Sequence, residues 1–340
     1  MNPSHRKARF FRPLRITAGT AVLLCAFLLS AISGCIVGSP GTGNPTLSPV
    51  PGNAALSPVP GNAARLRVYA SFYPMYDFAV KIAGDRADVV CLVPPGGEPH
   101  IWEPTAADIT GLERADVFVY SGAGMERWVG DVLGTLSNKK LISVETSAGL
   151  TLLKGGDAHD GGADAIDPHV WLDPKNAKRQ TEAILRVLIQ ADPTGAAAYE
   201  AKYAQYAAEF DKLDQEYRTA LAPYAGREIV VAHQAFGYLC AEYGLVQVPV
   251  EGLTPESEPD PARIAEVIRI AREHDVRVIF FETAASPKVA QTIAKAIGAD
   301  VAVLSPVDDL DKARIAVGED YFSVMRGNLR ALVSALSQNP

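Results

Sequence analysis

AAAYEAKYAQYAAEFDKLDQEYRTALAPY, residues 196–224, decides how this chain is organised. Alanine, glutamate, lysine, glutamine and leucine dominate it, all strong helix formers, with tyrosine and leucine recurring at helical spacing. At about 1.5 Å per residue such a helix spans roughly 40 Å. That length suits a helix that bridges two lobes rather than belonging to one. A second amphipathic run, KNAKRQTEAILRVLIQ (175–190), precedes it, and Asp192-Pro193 separates the two.

The flanking sequence alternates on both sides. Before it, LRVYA (66–70), ADVVCLV (87–93), DVFVYS (116–121) and KLISV (140–144) read as short buried strands. Helical patterns occupy 74–84, 105–113 and 124–136 between them, the second opened by a capping-box pattern, Thr105-x-x-Asp108. After it, REIVVAH (227–233), VQVPVEG (246–252), RVIFFE (277–282) and DVAVLSP (300–306) read as strands, with helices at 234–244, 260–274, 286–297 and 318–337. Strand–helix alternation at this spacing predicts parallel sheets with helices on their faces. The expected organisation is an N-terminal α/β lobe (65–175), a helical region (176–224) and a C-terminal α/β lobe (225–340).

The first 64 residues read differently. Arg6, Lys7, Arg9, Arg12 and Arg15 form a basic head, and an uncharged apolar stretch follows, ending in Ser33-Gly34-Cys35. This is the pattern of a secretory leader, residues 1–35, too short in its apolar part for a spanning helix. The cysteine after two small residues marks Cys35 as a candidate lipidation site, anchoring the chain on the outer face of a cell membrane. Residues 36–64 carry LSPVPGNAA twice (47–55 and 56–64) and no charge, the composition of an extended tether.

The whole chain has 32 Lys+Arg against 39 Asp+Glu; without the five basic leader residues the balance is 27 to 39, or −12. An acidic protein is a poor nucleic-acid ligand and is compatible with a cation. Of four cysteines, Cys91 and Cys240 lie in the folded part, and their settings favour two buried free thiols over a bridge.

Six histidines are present. His5 lies in the leader, His274 reads as a solvated helix end, and His159 lies in a glycine- and aspartate-rich loop (155–165) that reads as surface. The remaining three share a setting. EPHIWEP (98–104) and DPHVWLDP (167–174) repeat acid–Pro–His–branched–Trp, placing His100 and His169 in rigid loops. His233 ends the strand REIVVAH. Ligands of α/β sheets bind beyond the carboxyl ends of strands, so these three can converge there. Any one of them alone would be a hydrogen-bonded structural histidine; three favour a metal site. Glu98, Trp102 and Trp171 are candidates to support the ligand loops. A fourth ligand should be a carboxylate, with Asp308, Asp309, Glu282, Glu319 and Asp320 all open; each alone reads as a cap or surface charge. Three imidazoles and one carboxylate suit zinc better than manganese or iron.

These blocks resemble the TroA-like zinc/manganese solute-binding lipoproteins of bacterial ABC transporters, zinc type, cluster A-I. The likeness lies in GGEPHIWEPTAADITGLERADVFVYSGAGME, DPHVWLDPKNA, VVAHQAFGYLCAEYGL, LTPESEPDPARIAEVI, FFETAASPKVAQTIAKAIGADVAVLSPVDDL and EDYFSVMRGNLRAL. It covers about residues 66–337. The resemblance implies two Rossmann-like lobes joined by a rigid helix, with the metal in the cleft between them. It implies His100, His169 and His233 as ligands and Asp308 as the fourth, where zinc-type members often carry glutamate, so that water or Asp309 stands as an alternative. It also implies delivery to an ABC permease and a monomeric chain; one long connecting helix, stiffer than loop crossovers, favours release by small local shifts over wide hinge opening. Manganese-type members tend to carry glutamate at the His233 position. Two other readings stand beside capture: a zinc hydrolase, against which the chain carries no HExxH motif, and an adhesin, for which no separate sequence feature speaks.

Overall fold

The computed structural model describes residues 65–155, 164–254, 261–282 and 287–338. The leader, Cys35, the repeat and His159 lie outside the described residues.

The first lobe is built from β1 (Leu66–Ala70), α1 (Tyr73–Ala83), β2 (Ala87–Cys91), α2 (Ala106–Leu112), β3 (Val117–Tyr120), α3 (Val129–Thr135) and β4 (Ile142–Glu145). All its strands run parallel in the order β2-β1-β3-β4. Two helices follow, α4 (Pro174–Ala191) and α5 (Ala196–Leu221). The second lobe comprises β5 (Glu228–Val231), α6 (Gly237–Tyr243), β6 (Val246–Pro249), α7 (Pro261–Glu273), β7 (Val278–Phe281), α8 (Lys288–Ile297), β8 (Asp300–Val303), α9 (Lys312–Ala316) and α10 (Tyr321–Leu336). Its sheet repeats the parallel topology, in the order β6-β5-β7-β8.

Local chemistry sets most boundaries. Thr105 and Asp108 close the expected capping box on α2. Asp173 caps α4 and Pro174 sits in its first turn, where its missing N–H costs nothing. The third helix starts later than its pattern predicts, at Val129 rather than 124. Gly122, Ala123 and Gly124 have φ of 80°, 54° and 89°, and Glu126 turns back to accept N–H bonds from Ser121 (2.8 Å) and Gly122 (2.9 Å). A left-handed run closed by a side chain cannot be helical. The short α9, capped by Asp311, has too few residues to leave a periodic signal.

The 26-residue α5 buries Tyr199, Phe210, Leu213, Tyr217 and Leu221 along one stripe. It packs against α4, against α1 of the first lobe and against α10 of the second. The principal hydrophobic core therefore runs through both lobes, from Val68 to Leu336. Phe78 of α1, Phe210 of α5 and Tyr321 and Phe322 of α10 form its aromatic joint, with ring centroids 4.7–5.6 Å apart. Lys81 of α1 bridges Asp77 (2.6 Å) and the α10 cap Asp320 (3.0 Å) beside it. A wide hinge motion would have to open this shared core.

Asp192 ties the α4–α5 corner to the first lobe, accepting from Arg86 (2.6 Å), Thr194 and Tyr199 (2.9 Å). The Thr194 hydroxyl, aided by Arg86 and Tyr199, holds its carboxyl down at about 2. A carboxyl depressed in the folded state stabilises it fully above the ordinary value of about 3.9, and that contribution fades as pH falls toward about 2. Asp192→Ala is expected to lower Tm by a few degrees at pH 7 and by clearly less near pH 2.5, read by scanning calorimetry.

Candidate metal centre

His100 lies in the loop that leaves β2. Gly97 N–H closes a turn on Pro94 C=O (2.8 Å), and the His100 backbone N–H donates to Glu98 Oε1 (3.0 Å). His169 repeats the device. Its backbone N–H and its ring Nδ1–H both donate to Asp167 Oδ1, each at 2.9 Å. The acidic residue of each acid–Pro–His phrase thus locks the histidine two positions on. His233 leaves β5, and its Nδ1 donates to Glu282 Oε1 at 2.6 Å. Glu282 leaves β7, the strand parallel to β5, so the pair spans the point where the sheet order reverses.

Fixing Nδ1 fixes where Nε2 points. His169 Nε2 lies 3.2 Å from His100 Nε2 and 3.2 Å from His233 Nε2. With Nδ1–H spent on a carboxylate, a neutral ring offers only a lone pair at Nε2. Where the His169 and His233 rings are both neutral, their Nε2 lone pairs face one another, an arrangement that a cation between them relieves and that a proton on one ring relieves as well. In a tetrahedral zinc site with Zn–N of about 2.0–2.1 Å, the nitrogens stand ~3.3 Å apart.

Asp308 follows β8 and is 5% exposed. The residue before it, Val307, is buried with φ of 60°, a strained conformation for a β-branched side chain. Val307 N–H is held by Ser305 Oγ (3.1 Å), and Ser305 by Asn328 of α10 (2.9 Å). One ligand atom each of Glu98, His100 and Asp308 lie within 4.8 Å of one another.

Burial pushes the imidazoles of His100 and His169 well below their usual value, so both stay neutral. Burial also acts downward on His233, but Glu282 outweighs it and raises the ring to about 9. Burial lifts Asp308 well up, with the Glu98, Asp309 and Glu282 carboxylates adding to it, lifts Glu98, and lifts Asp167 to about 7. Crowded carboxyls of this kind are relieved by a cation.

The other expected residues fall into different places. Trp171 is fully buried beside His169 (centroids 5.4 Å), packs edge-on to Phe72 (4.9 Å), and donates Nε1–H to Pro306 C=O of the second lobe at 2.7 Å. Trp102 packs on Trp128 (5.4 Å) in a satellite core, not on a histidine. Asp320 caps α10, Glu319 pairs with Arg314, and Asp309 lies half-buried beside Asp308. Cys91 and Cys240 carry free thiols, on different lobes. The residue missed from sequence is Asp167. Its signal was the acid two places before histidine in both copies of the phrase.

A family profile, "ZnuA: Zinc-uptake complex component A periplasmic", matches residues 68–335. The chain belongs to this family. Within it, the chain is 39% identical over 280 residues to the high-affinity zinc uptake system protein ZnuA of Bacillus subtilis, covering 80% of this chain and 88% of the relative. The zinc-binding protein AdcA of Streptococcus pyogenes is 38% identical over 286 residues, 79% of this chain. The chain spans about half (55%) of that longer relative. The crystal structure of the Zn(II)-bound ZnuA-like domain of Streptococcus pneumoniae AdcA superposes with a TM-score of 0.71 at 36% identity, covering 81% of this chain and all of that domain. The two-lobed α/β fold with its long helix is the fold of this family.

Proposed function

We propose that this chain captures zinc outside the cytoplasm and hands it to the permease of an ABC importer. The observation that carries the reading is the convergence of three Nε2 atoms, 3.2 Å apart in sequence of contact, with carboxylates behind two of the rings. His100, His169 and His233 would hold the ion, with Asp308 as the fourth ligand. Zinc is cargo here, and the N₃O set favours it over manganese, which prefers more oxygen. Four protein ligands close the shell, which suits carriage rather than hydrolysis, so we read the chain as a non-enzyme. Membrane attachment would come through a lipid on Cys35, with 36–64 as tether to a monomeric two-lobed body (65–175, 176–224 and 225–340). Among the described residues no helix is long and apolar enough to cross a membrane.

The test is metal competition. The chain from residue 65 onward, freed of metal and offered equal zinc and manganese, is expected to retain one zinc per chain and to gain Tm. Preferential retention of manganese would sink the zinc assignment.

The carboxylates behind the rings give a second expectation. Glu282→Gln and Asp167→Asn keep shape but remove the negative charge that orients each ring. Loss of such outer partners costs ~10–100-fold in metal affinity. Chelator competition should show that loss with one-to-one stoichiometry intact; unchanged affinity in both would mean the rings are positioned by packing alone.

A further inference from the structure

The ligand atoms at this site form two groupings. His100, His169 and His233 make one; Glu98, His100 and Asp308 make the other, and His100 belongs to both. They differ in depth. His169 and His233 are fully buried, whereas Glu98 and His100 are only partly so. Asp308 is 95% buried by its 5% exposure, and no described residue donates a hydrogen bond to its carboxylate. A carboxyl so placed is stabilised by a proton or by a cation beside it. Asp308 also lines a cavity of about 430 Å³ walled by Tyr73, Val93 and Pro94 of the first lobe and Leu310 and Ile315 of the second. Of the three, Asp308 is the residue that reaches this cavity, while His100 touches the inner histidines.

Building on the capture reading, we propose that Glu98, His100 and Asp308 form a receiving site for a divalent cation. The ion enters there and passes inward by exchanging Glu98 for His169 and His233, with His100 bound throughout. The chemistry fits the order. Carboxylates take up hydrated cations readily and with little selectivity, whereas three imidazoles favour zinc. Hard cations would stop at the receiving site and leave, while zinc would move on. The two sites would therefore sort metals by succession.

The experiment separates the two groupings, using the full chain purified in detergent, with Co²⁺ and Zn²⁺ as probes. The variant His169→Asn/His233→Gln removes the inner ligands and leaves the outer three. It is expected to bind one Co²⁺ weakly, with the faint visible absorption of an oxygen-rich, five- or six-coordinate ion. Adding Glu98→Gln should weaken that binding by a further ~10–100-fold. No residual binding, or residual binding indifferent to Glu98→Gln, overturns the proposal. Should the double variant fail to fold, zinc uptake by stopped flow decides. Glu98→Gln alone is then expected to slow association about tenfold or more, as loss of a steering charge does; an unchanged rate overturns the receiving site. A native chain that takes up no zinc at all would instead refute the capture reading.

Discussion

His233→Ala is expected to lower zinc affinity by at least ~10³-fold, about 4 kcal/mol. In the proposed ligand set His233 is the histidine of the second lobe, so its loss would leave the ion to two histidines of the first lobe and one carboxylate. The truncation also strands Glu282, a buried carboxylate whose donor is the His233 ring at 2.6 Å. Removing one partner of a buried pair is destabilising in its own right. His233→Asn separates the effects, because its amide still carries N–H groups but offers no imidazole lone pair. Both variants should fail a chelator competition that the parent passes, while the asparagine variant keeps more of the parent's metal-free Tm. A His233→Ala chain that binds zinc as the parent does would show that the ligands lie elsewhere.

Trp171→Ala is expected to cost ~3–5 kcal/mol of folding stability, the range for deleting a fully buried aromatic. Two hydrogen bonds at this residue are affected differently. The indole N–H bonds Pro306 C=O across the lobes, and the Trp171 carbonyl accepts from Tyr321 Oη at 2.6 Å. The second bond survives substitution, being backbone, but it relies on the indole to hold the turn that carries His169. Trp171→Phe keeps an aromatic ring and loses the indole bond, leaving Pro306 C=O buried, at a cost of ~1–3 kcal/mol. Urea unfolding should rank the parent above phenylalanine and phenylalanine above alanine. Zinc affinity should fall in the same order, because His169 packs on this ring. Equal stability of the two variants would mean the contact between lobes contributes nothing.

Much of this was legible because the elements have strong local signatures. The residue 196–224 run reads as a helix from composition alone, and it is one over Ala196–Leu221. Thr105 and Asp108 announced their helix start. His100, His169 and His233 stood out because each follows a strand or a proline-locked loop, and the structure brings all three together. What the sequence hid depends on pairing across the chain. Glu282 was one of several equivalent carboxylates until β7 settled next to β5 and set it on His233 Nδ1. Val307 gives no hint of its positive φ, since nothing in a branched side chain asks for it. The late start of α3 follows from Glu126 folding back on Ser121 and Gly122, an interaction that helical periodicity cannot register.

The shared core bears on release. Because α5 and α10 bind both lobes through one aromatic joint, rigid rotation of a lobe would expose Phe78, Phe210 and Tyr321, all nearly fully buried. Movement confined to the loops carrying His100 and Asp308 leaves that joint closed.

The most direct measurement is zinc K-edge X-ray absorption on the chain loaded with one equivalent of metal. The account predicts a single four-coordinate zinc with about three imidazole nitrogens and one carboxylate oxygen at ~2.0–2.2 Å. A sulfur scatterer, or a shell with at most one imidazole, would contradict it.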